Sequence, residues 1–182
     1  FVGTGSTSFV SGSSQYIPIS SLDSFQTNAT GTTWSAWIKP TDIDTGFRTV
    51  IGRNSGVNAL YGAGLATNAA TLYGLASNGA FSVTSTSTIV AGVWQHIAYT
   101  AKDGEQKLYY NGVLKTSATN ATVSEAGEHF AIGAGKWSDT INSYYNGSIK
   151  NCSLWDRVLT ATEIQNVMYK TYPEVSGRLA SG

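Results

Sequence analysis

The sequence predicts an all-β fold: an antiparallel two-sheet β-sandwich, or jelly roll, with one short C-terminal helix. Apolar and polar residues alternate with a period of two in many short stretches of the 182-residue chain, which is the pattern of half-buried strands. Turn dipeptides such as Asn111-Gly112 separate these stretches. Helical periodicity occurs only once, near the C-terminus. Because helices do not alternate with strands, a parallel α/β sheet is disfavoured.

The strands follow one another at short intervals. They are predicted at residues 8–10, 15–19, 33–39, 47–53, 60–67, 71–76, 80–84, 95–101, 106–110, 113–117, 129–133 and 147–155. The strongest hairpin signals are dipeptides that accept the positive φ of a type I′ turn. These are Asn78-Gly79, Asn111-Gly112 and, nearly as strong, Asp103-Gly104. Many short strands with frequent turns are typical of a sandwich.

The single helix is predicted at residues 161–170. Thr160 is a favoured N-cap residue, and Glu163 follows three positions later, which makes a capping box. An apolar stripe at helical spacing follows, formed by Ile164, Val167 and Met168. The helix therefore packs one face against the sandwich.

The chain divides into one domain, residues 1–172, and a C-terminal tail or linker, residues 173–182. The tail follows Pro173 and has no periodicity. The chain begins with Phe1 rather than Met and has no charged segment followed by an apolar one, as a signal peptide would. We therefore expect a piece of a longer protein or a processed chain.

Composition excludes several classes of function. The 11 Lys and Arg residues balance the 11 Asp and Glu residues and form no cluster, so neither nucleic acid nor an anionic membrane surface is an expected partner. No apolar run approaches the ~20 residues of a membrane span. The single cysteine, Cys152, excludes an internal disulfide bond and a multi-cysteine zinc site.

Four segments together resemble the laminin-G-like jelly-roll domains of the concanavalin A-like lectin/glucanase superfamily. They are "SGSSQYIPI" (11–19), "WSAWIKPT" (34–41), "GVWQHIAYTAKDGEQKLYYNGVLKTS" (92–117) and "YNGSIKNCSLWDRVLTATEI" (145–164). The resemblance implies that the last strand lies beside the N-terminal strand. It also places Trp37, Trp94 and Trp155 at motif positions in the core. It does not specify a function, because this fold serves many.

Many members of this family bind calcium, but this chain departs from their pattern. Positions at which relatives often carry acidic residues hold Ser11, Gln15, Lys150 and Asn151. Calcium prefers several carboxylate oxygens, and a lysine ammonium would repel it. We expect no metal or cofactor. Calcium bound through loop oxygens is the less favoured alternative, and those oxygens would come from Asp42, Asp44, Asp139 and Asn142.

The sequence also shows no catalytic constellation. Glucanases of this fold carry acidic residues at alternate positions of one strand, whereas Glu125 and Glu128 are oddly spaced and would face opposite ways. His96 and His129 have no associated nucleophile motif. Cys152 lies between apolar strand residues, as an inert buried thiol does. We therefore predict no catalytic residues and no enzyme.

Aromatic and polar residues together indicate a shallow glycan site in the loop-like stretch "GKWSDTINSYYNGS". Sugar rings stack on aromatic faces, and short polar side chains bond sugar hydroxyls. The predicted ligand-binding residues are Trp137, Asp139, Asn142, Tyr144 and Tyr145. An equally weighted alternative is that these rings cover the edge of the sandwich. Weaker candidates on the same grounds are Trp34, Tyr61 and Tyr73.

The sequence thus favours a non-catalytic, carbohydrate-binding recognition module on the outside of a cell or on a virion surface. Its partner would be a glycan or glycoprotein, and it would be attached to or assembled with other protein chains, without membrane insertion. One alternative is a structural, decoration or tail-fibre domain of a virus particle, which predicts a flat apolar patch. A third reading, a glycoside hydrolase of the same fold, predicts two close carboxylates in a cleft.

Overall fold

A computed structural model describes residues 5–19, 31–54, 63–76, 83–84, 88–119, 129–137 and 140–169. The strands are β1 (Thr7–Phe9), β2 (Ile17–Ile19), β3 (Thr32–Pro40), β4 (Phe47–Asn54), β5 (Ala63–Asn68), β6 (Thr71–Ala76), β7 (Val83–Thr84), β8 (Gln95–Lys102), β9 (Glu105–Tyr110), β10 (Val113–Ala118), β11 (His129–Ile132), β12 (Gly135–Trp137), β13 (Thr140–Asn142) and β14 (Gly147–Trp155). A 3₁₀ turn spans Ser11–Ser13, and the helix α1 spans Ala161–Tyr169.

Two antiparallel sheets form the sandwich, as predicted. Sheet A has the strand order β1-β14-β3-β8-β9-β10, and sheet B has the order β2-β11-β4-β5-β6-β7. The last strand pairs with the N-terminal strand, with Thr7 opposite Ile149, which confirms the expectation from the resemblance. A separate two-stranded sheet joins β12 to β13.

The core lies between the two sheets. Sheet A contributes Trp34, Ile38, Ile97 and Tyr99, and sheet B contributes Val50, Leu65, Leu72 and Phe130, all of them buried. Gly74 of β6 allows an especially close approach of the sheets, because a Cβ atom there would lie 2.3 Å from the ring of Tyr99. Burial of these side chains is the main favourable term in folding.

The helix packs on the outer face of sheet A. Its buried Ile164 joins Ala98, Tyr109, Trp155 and Leu159 in a second cluster. The predicted capping box is present. The amide of Glu163 donates to Thr160 Oγ1 at 3.2 Å, and the amide of Thr160 donates to Glu163 Oε2 at 2.8 Å. These reciprocal bonds satisfy two amides that a helix start otherwise leaves without partners.

Turn predictions can be checked at two of the three dipeptides. Asn111 and Gly112 both have positive φ, 48° and 73°, and Val113 pairs with Tyr110, as a type I′ hairpin requires. At Asp103-Gly104 only the glycine has positive φ. Asn78-Gly79 lies outside the described residues, as do Tyr61 and the predicted tail 173–182.

The burial of three tryptophans corrects the sequence-based expectation. Trp155 is fully buried, as expected. Trp37 and Trp94 are only half-buried, because their side chains lie on the outer face of sheet A rather than between the sheets. Trp34, which we considered a weak glycan candidate, is fully buried in the core. It is therefore not available to a ligand.

Candidate functional site

The stretch predicted to hold the glycan site is a short hairpin fixed to β4. Gly135 pairs with Asn142 and Trp137 with Thr140, so the stretch is a small sheet rather than a loop. After it, the amide of Thr49 donates to the carbonyl of Ser143 at 2.8 Å, and the amide of Tyr145 donates to the carbonyl of Gly133 at 2.8 Å. These bonds attach the hairpin to the end of sheet B.

An ion pair reinforces this attachment. The guanidinium of Arg48 pairs with the carboxylate of Asp44, with Nε at 3.2 Å from Oδ1 and Nη2 also in contact with Oδ2. A third nitrogen, Nη1, donates to the carbonyl of Tyr144 at 3.3 Å. A planar guanidinium suits such simultaneous bonding. Arg48 therefore ties the β3–β4 loop to the segment that follows the hairpin.

Further polar bonds close the same end of the sandwich. Asn146 Nδ2 donates to Asp42 Oδ2 at 2.7 Å, and the amide of Gly46 donates to Asn68 Oδ1 at 3.1 Å. The β3–β4 loop, the β5–β6 turn and the segment before β14 thus meet there. Carboxylates, amides and one guanidinium give this end hydrogen-bonding groups of the kind that recognise sugar hydroxyls.

The predicted ligand-binding residues are placed unequally. Trp137 and Asn142 lie on the two strands of the hairpin, and Asp139 lies outside the described residues. The side chain of Asn142 is half-buried and accepts a bond from Ser143 Oγ at 3.0 Å. Tyr144 is half-buried; its hydroxyl donates to the carbonyl of Ile141 at 3.0 Å, and its ring centroid lies 6.3 Å from that of Tyr16.

Tyr145 does not present its ring to solvent. Its side chain is 1% exposed and belongs to the core. Burial, with smaller contributions from Cys152 and Asp42, raises the pKa of its hydroxyl well above the usual value. The hydroxyl has no hydrogen-bond partner among the described residues. Of the two adjacent tyrosines, only Tyr144 can therefore meet a ligand without a rearrangement of the core.

Two of the acidic loop residues that could hold calcium, Asp42 and Asp44, are already engaged. Asp44 is neutralised by Arg48, and Asp42 accepts from Asn146. Within the described residues, no three or more His, Cys, Asp or Glu side chains are grouped closely enough to hold a metal ion. Rearranging this loop to bind calcium would require the Asp44–Arg48 pair to separate.

The shifted pKa values arise either from ion-pair partners or from burial. Arg157 and the Thr160 cap lower the pKa of Glu163 to about 2, and Lys107 lowers the pKa of Glu105. Burial lowers the pKa of His96 to about 3 and raises the pKa of Cys152 to about 12. A general acid needs a raised carboxyl pKa. The pKa values of Glu105 and Glu163 are instead lowered.

Sequence reasoning missed a second cluster, on the outer face of sheet A. Lys150 Nζ lies 4.3 Å from the ring centroid of Trp94 and 5.6 Å from that of Trp37. The sequence suggested only that Lys150 excludes calcium. A usable signal was the odd spacing of Trp34 and Trp37 in one strand, which places the two rings on opposite faces of the sheet.

Three comparisons with known proteins bear on this geometry. A laminin-G family model described as the concanavalin A-like lectin/glucanases superfamily matches residues 11–165. The carbohydrate-binding module CBM40 of the Ruminococcus gnavus IT-sialidase superposes with a TM-score of 0.71 at 16% identity, covering 92% of this chain and 98% of that chain. In complex with α2,3-sialyllactose it superposes with a TM-score of 0.62 at 17% identity, covering 78% and 84%.

Two further matches cover small parts of longer proteins. A mutant Trypanosoma rangeli sialidase with trans-sialidase activity superposes with a TM-score of 0.59 at 19% identity, covering 74% of this chain and 22% of that chain. The human adhesion G-protein coupled receptor D1 is 36% identical over 83 residues, or 43% of this chain and 9% of the receptor. This chain therefore spans only a small fraction of that relative.

In the part of the chain that the structure describes, no helix is both long and apolar enough to cross a bilayer.

Proposed function

Because the chain belongs to the concanavalin A-like lectin/glucanases superfamily, we propose that it is a non-catalytic carbohydrate-binding module. We place its site at the end of the sandwich formed by the β12–β13 hairpin and the β3–β4 loop. The observation that carries this proposal is the anchoring of the hairpin segment through Arg48, which bonds Asp44 and the carbonyl of Tyr144 together.

The anchored hairpin has the properties of a preorganised site. Binding by flexible loops costs conformational entropy, and a segment already held by Arg48 and Thr49 avoids part of that cost. Trp137 lies at the end of β12, and Asn142 lies at the end of β13 directly before Ser143 and Tyr144. By residue type, Trp137, Asn142 and Asp139 carry an aromatic ring and the hydrogen-bonding groups that a sugar site needs. Tyr145 supports this segment from within the core.

The sandwich neighbours support the choice of ligand class. One of them is a carbohydrate-binding module, and its complex contains α2,3-sialyllactose. Since its identity with this chain is 17%, it suggests a class of ligand and no particular sugar. A single shallow, wet site predicts an affinity in the micromolar to millimolar range, and useful avidity would need several copies.

A non-catalytic role fits the environment of three described carboxyl groups. Asp44, Glu105 and Glu163 each form an ion pair with a basic side chain. The ion pairs at Glu105 and Glu163 lower the pKa of those two carboxyl groups and so favour their ionised form, whereas glycoside hydrolysis needs one protonated acid beside a carboxylate. No metal or cofactor is part of the proposed function.

We place the module outside the cell or on a surface, as part of a larger assembly. The similarity to an adhesion receptor supports this setting, and glycoproteins exposed at surfaces would be its partners. The alternative of a structural domain in a virus particle makes a different prediction, because protein contacts rather than glycans would then hold it in place.

A glycan array followed by titration calorimetry tests the proposal. Trp137→Ala should remove binding and leave the melting temperature nearly unchanged. The control is Tyr169→Ala, which removes an aromatic side chain that is 81% exposed at the end of α1 and should leave binding intact.

The behaviour of these variants and of the wild type decides whether the site is correct. If Trp137→Ala unfolds, the ring is structural, and Asn142→Ala then tests the same hairpin with a smaller change. If both variants fold and bind the same glycan as before, the site lies elsewhere. A wild-type domain that binds no glycan yet assembles with a parent protein or particle would favour the structural alternative.

A further inference from the structure

Two tryptophans and a lysine meet on the outer face of sheet A, beside the C-terminal end of α1. Lys150 of β14 pairs with Trp37 of β3, which pairs in turn with His96 of β8. Trp94 immediately precedes β8. The side chains of Trp37, Trp94 and Lys150 are all half-buried, so each keeps some surface in contact with solvent. We call these three residues the indole–lysine cluster.

The indoles are held in place by their surroundings. Trp37 Nε1 donates to the carbonyl of Met168 at 3.3 Å, at the end of α1, and its ring packs edge to face on His96 at 5.6 Å between centroids. The side chain of Gln95 holds the segment before Trp94 by two hydrogen bonds. Its Nε2 donates to the carbonyls of Val90 and Val93 at 2.7 and 3.0 Å. These contacts orient the indole of Trp37 and the backbone that leads into Trp94.

The charge of Lys150 is not balanced by a described carboxylate. Among the described carboxylates, Asp44 pairs with Arg48, Glu105 with Lys102 and Lys107, and Glu163 with Arg157. The described contacts of the Lys150 ammonium are the two indole faces, which attract a cation but do not neutralise it. Lys39, two residues after Trp37 in β3, is exposed on the same face of the sheet. Its ammonium adds a second positive charge.

His96, which packs against Trp37, adds no charge to the cluster. His96 is 1% exposed, and burial lowers its pKa to about 3, so its imidazole is neutral at physiological pH. The cluster therefore presents positively charged lysines beside flat apolar rings. The matching ligand carries an anionic group next to a ring with an apolar face.

We propose that the indole–lysine cluster binds the carboxylate of an acidic sugar, with the sugar ring lying against the exposed part of Trp94. A carboxylate can accept a charge-assisted hydrogen bond from the Lys150 ammonium, and aromatic faces are favourable surfaces for the C–H groups of a sugar ring. The site proposed above at the β12–β13 hairpin is called the hairpin site. The indole–lysine cluster is separate from it, because Lys150 lies four residues beyond Asn146, roughly 13 Å along the strand. Its existence does not depend on the hairpin site.

Matched acidic and neutral sugars test the assignment. The probes are 3′-sialyllactose beside lactose, and a glucuronate disaccharide beside its uncharged counterpart. Binding is followed in ¹H–¹⁵N spectra through the indole resonances, assigned with Trp37→Phe and Trp94→Phe. At least one acidic sugar should bind more tightly than its neutral counterpart by about tenfold, the equivalent of one hydrogen-bonded charge, and should shift the resonance of Trp94.

Variants at Lys150 separate charge from packing. Lys150→Gln should remove the preference for the acidic sugar, and Lys150→Arg should retain most of it. Lys115→Gln is the matched control, because Lys115 also places its ammonium over an aromatic ring, 5.7 Å from the centroid of Tyr110, and should change nothing. The titrations are repeated with Trp137→Ala, which disables the hairpin site alone, so that the two proposals fail independently.

Three outcomes would overturn the inference. The first is equal affinity for each acidic sugar and its neutral counterpart. The second is an unchanged preference in Lys150→Gln. The third is an indole shift with an acidic peptide and none with either acidic sugar, which would assign the surface to a protein partner. Binding at the hairpin site could survive all three.

Discussion

The indole of Trp34 on β3 packs against the ring of Phe130 on β11, with 5.7 Å between the centroids and an angle of 64° between the planes. The two strands belong to different sheets, so this pair joins the halves of the sandwich at their centre. Edge-to-face pairs of this kind add to the stabilisation from area burial alone.

Trp34→Ala should destabilise the domain by about 3–5 kcal/mol, because it removes a fully buried side chain and leaves a cavity. Urea unfolding would measure the loss. Trp94→Ala is the comparison, since its ring is half-buried and its removal should cost less. Equal losses at the two positions would contradict the assignment of Trp34 to the core.

Gly147, at the start of β14, should not accept a side chain. Its φ is 144°, and a Cβ atom there would lie 2.4 Å from the carbonyl oxygen of Lys39. Gly147→Ala should therefore cost about 2–3 kcal/mol, from backbone strain together with the clash. Gly46→Ala isolates the strain, because Gly46 has a φ of 133° and no atom within 4 Å of its Cβ position. Equal losses of stability in Gly147→Ala and Gly46→Ala would show that the contact with the Lys39 carbonyl adds nothing to the backbone strain.

The capping box at α1 should contribute measurable stability. Thr160→Ala removes the bond from the amide of Glu163 and should cost about 1 kcal/mol. Because the folded pKa of Glu163 is about 2, its contribution is present above its ordinary value near 4.5 and is lost as the pH falls from there towards 2. Denaturant titrations at pH 7 and pH 3 should show a larger difference in the wild type than in Glu163→Gln.

His96 should make the domain less stable in mild acid. Its folded pKa is about 3 against an ordinary 6.5, so the unfolded chain takes up the proton first and stability falls as the pH drops from 6.5 towards 3. At pH 5 the loss would be about 2 kcal/mol. The dependence between pH 7 and pH 5 should disappear in His96→Gln and persist in His129→Gln. A wild-type domain equally stable at both pH values would contradict this.

Calcium should have little effect on stability. The Asp44–Arg48 pair and the Asp42–Asn146 bond would both have to be given up to release loop oxygens. A chelator and added calcium should leave the melting temperature nearly unchanged. A site filled at a hundred times its dissociation constant would add about 2.7 kcal/mol, so a rise of several degrees with calcium would show that the loop does bind it.

The sequence was informative wherever a local rule decides the structure. Period-two alternation located the strands of both sheets, Asn111-Gly112 marked a type I′ hairpin, and the Thr160–Glu163 spacing marked the helix start. The family resemblance added the pairing of β1 with β14. Alternation also implied that Trp34 and Trp37 face opposite ways. It could not tell which face meets sheet B, because β3 is buried along most of both faces.

The functional sites were harder to predict because they depend on contacts between distant segments. Strands β12 and β13 have three residues each, too few to show a period. The burial of Tyr145 follows from its position between the sheets. The contact of Lys150 with Trp37 and Trp94 requires β14, β3 and the segment before β8 to be neighbours. No local pattern encodes these neighbours.

The pairing of β1 with β14 has a consequence for how the chain folds. Ser8 and Ser148 lie opposite each other although 140 positions separate them in sequence. The meander β8-β9-β10 can form from near neighbours, but β3 and β4 obtain one partner each, β14 and β11, only from the last third of the chain. Until β11 and β14 have been synthesised, β3 and β4 each have one edge without a partner strand. Contacts over such separations also form slowly. An open edge is a template for pairing with another chain. We therefore expect aggregation to compete with folding during this interval.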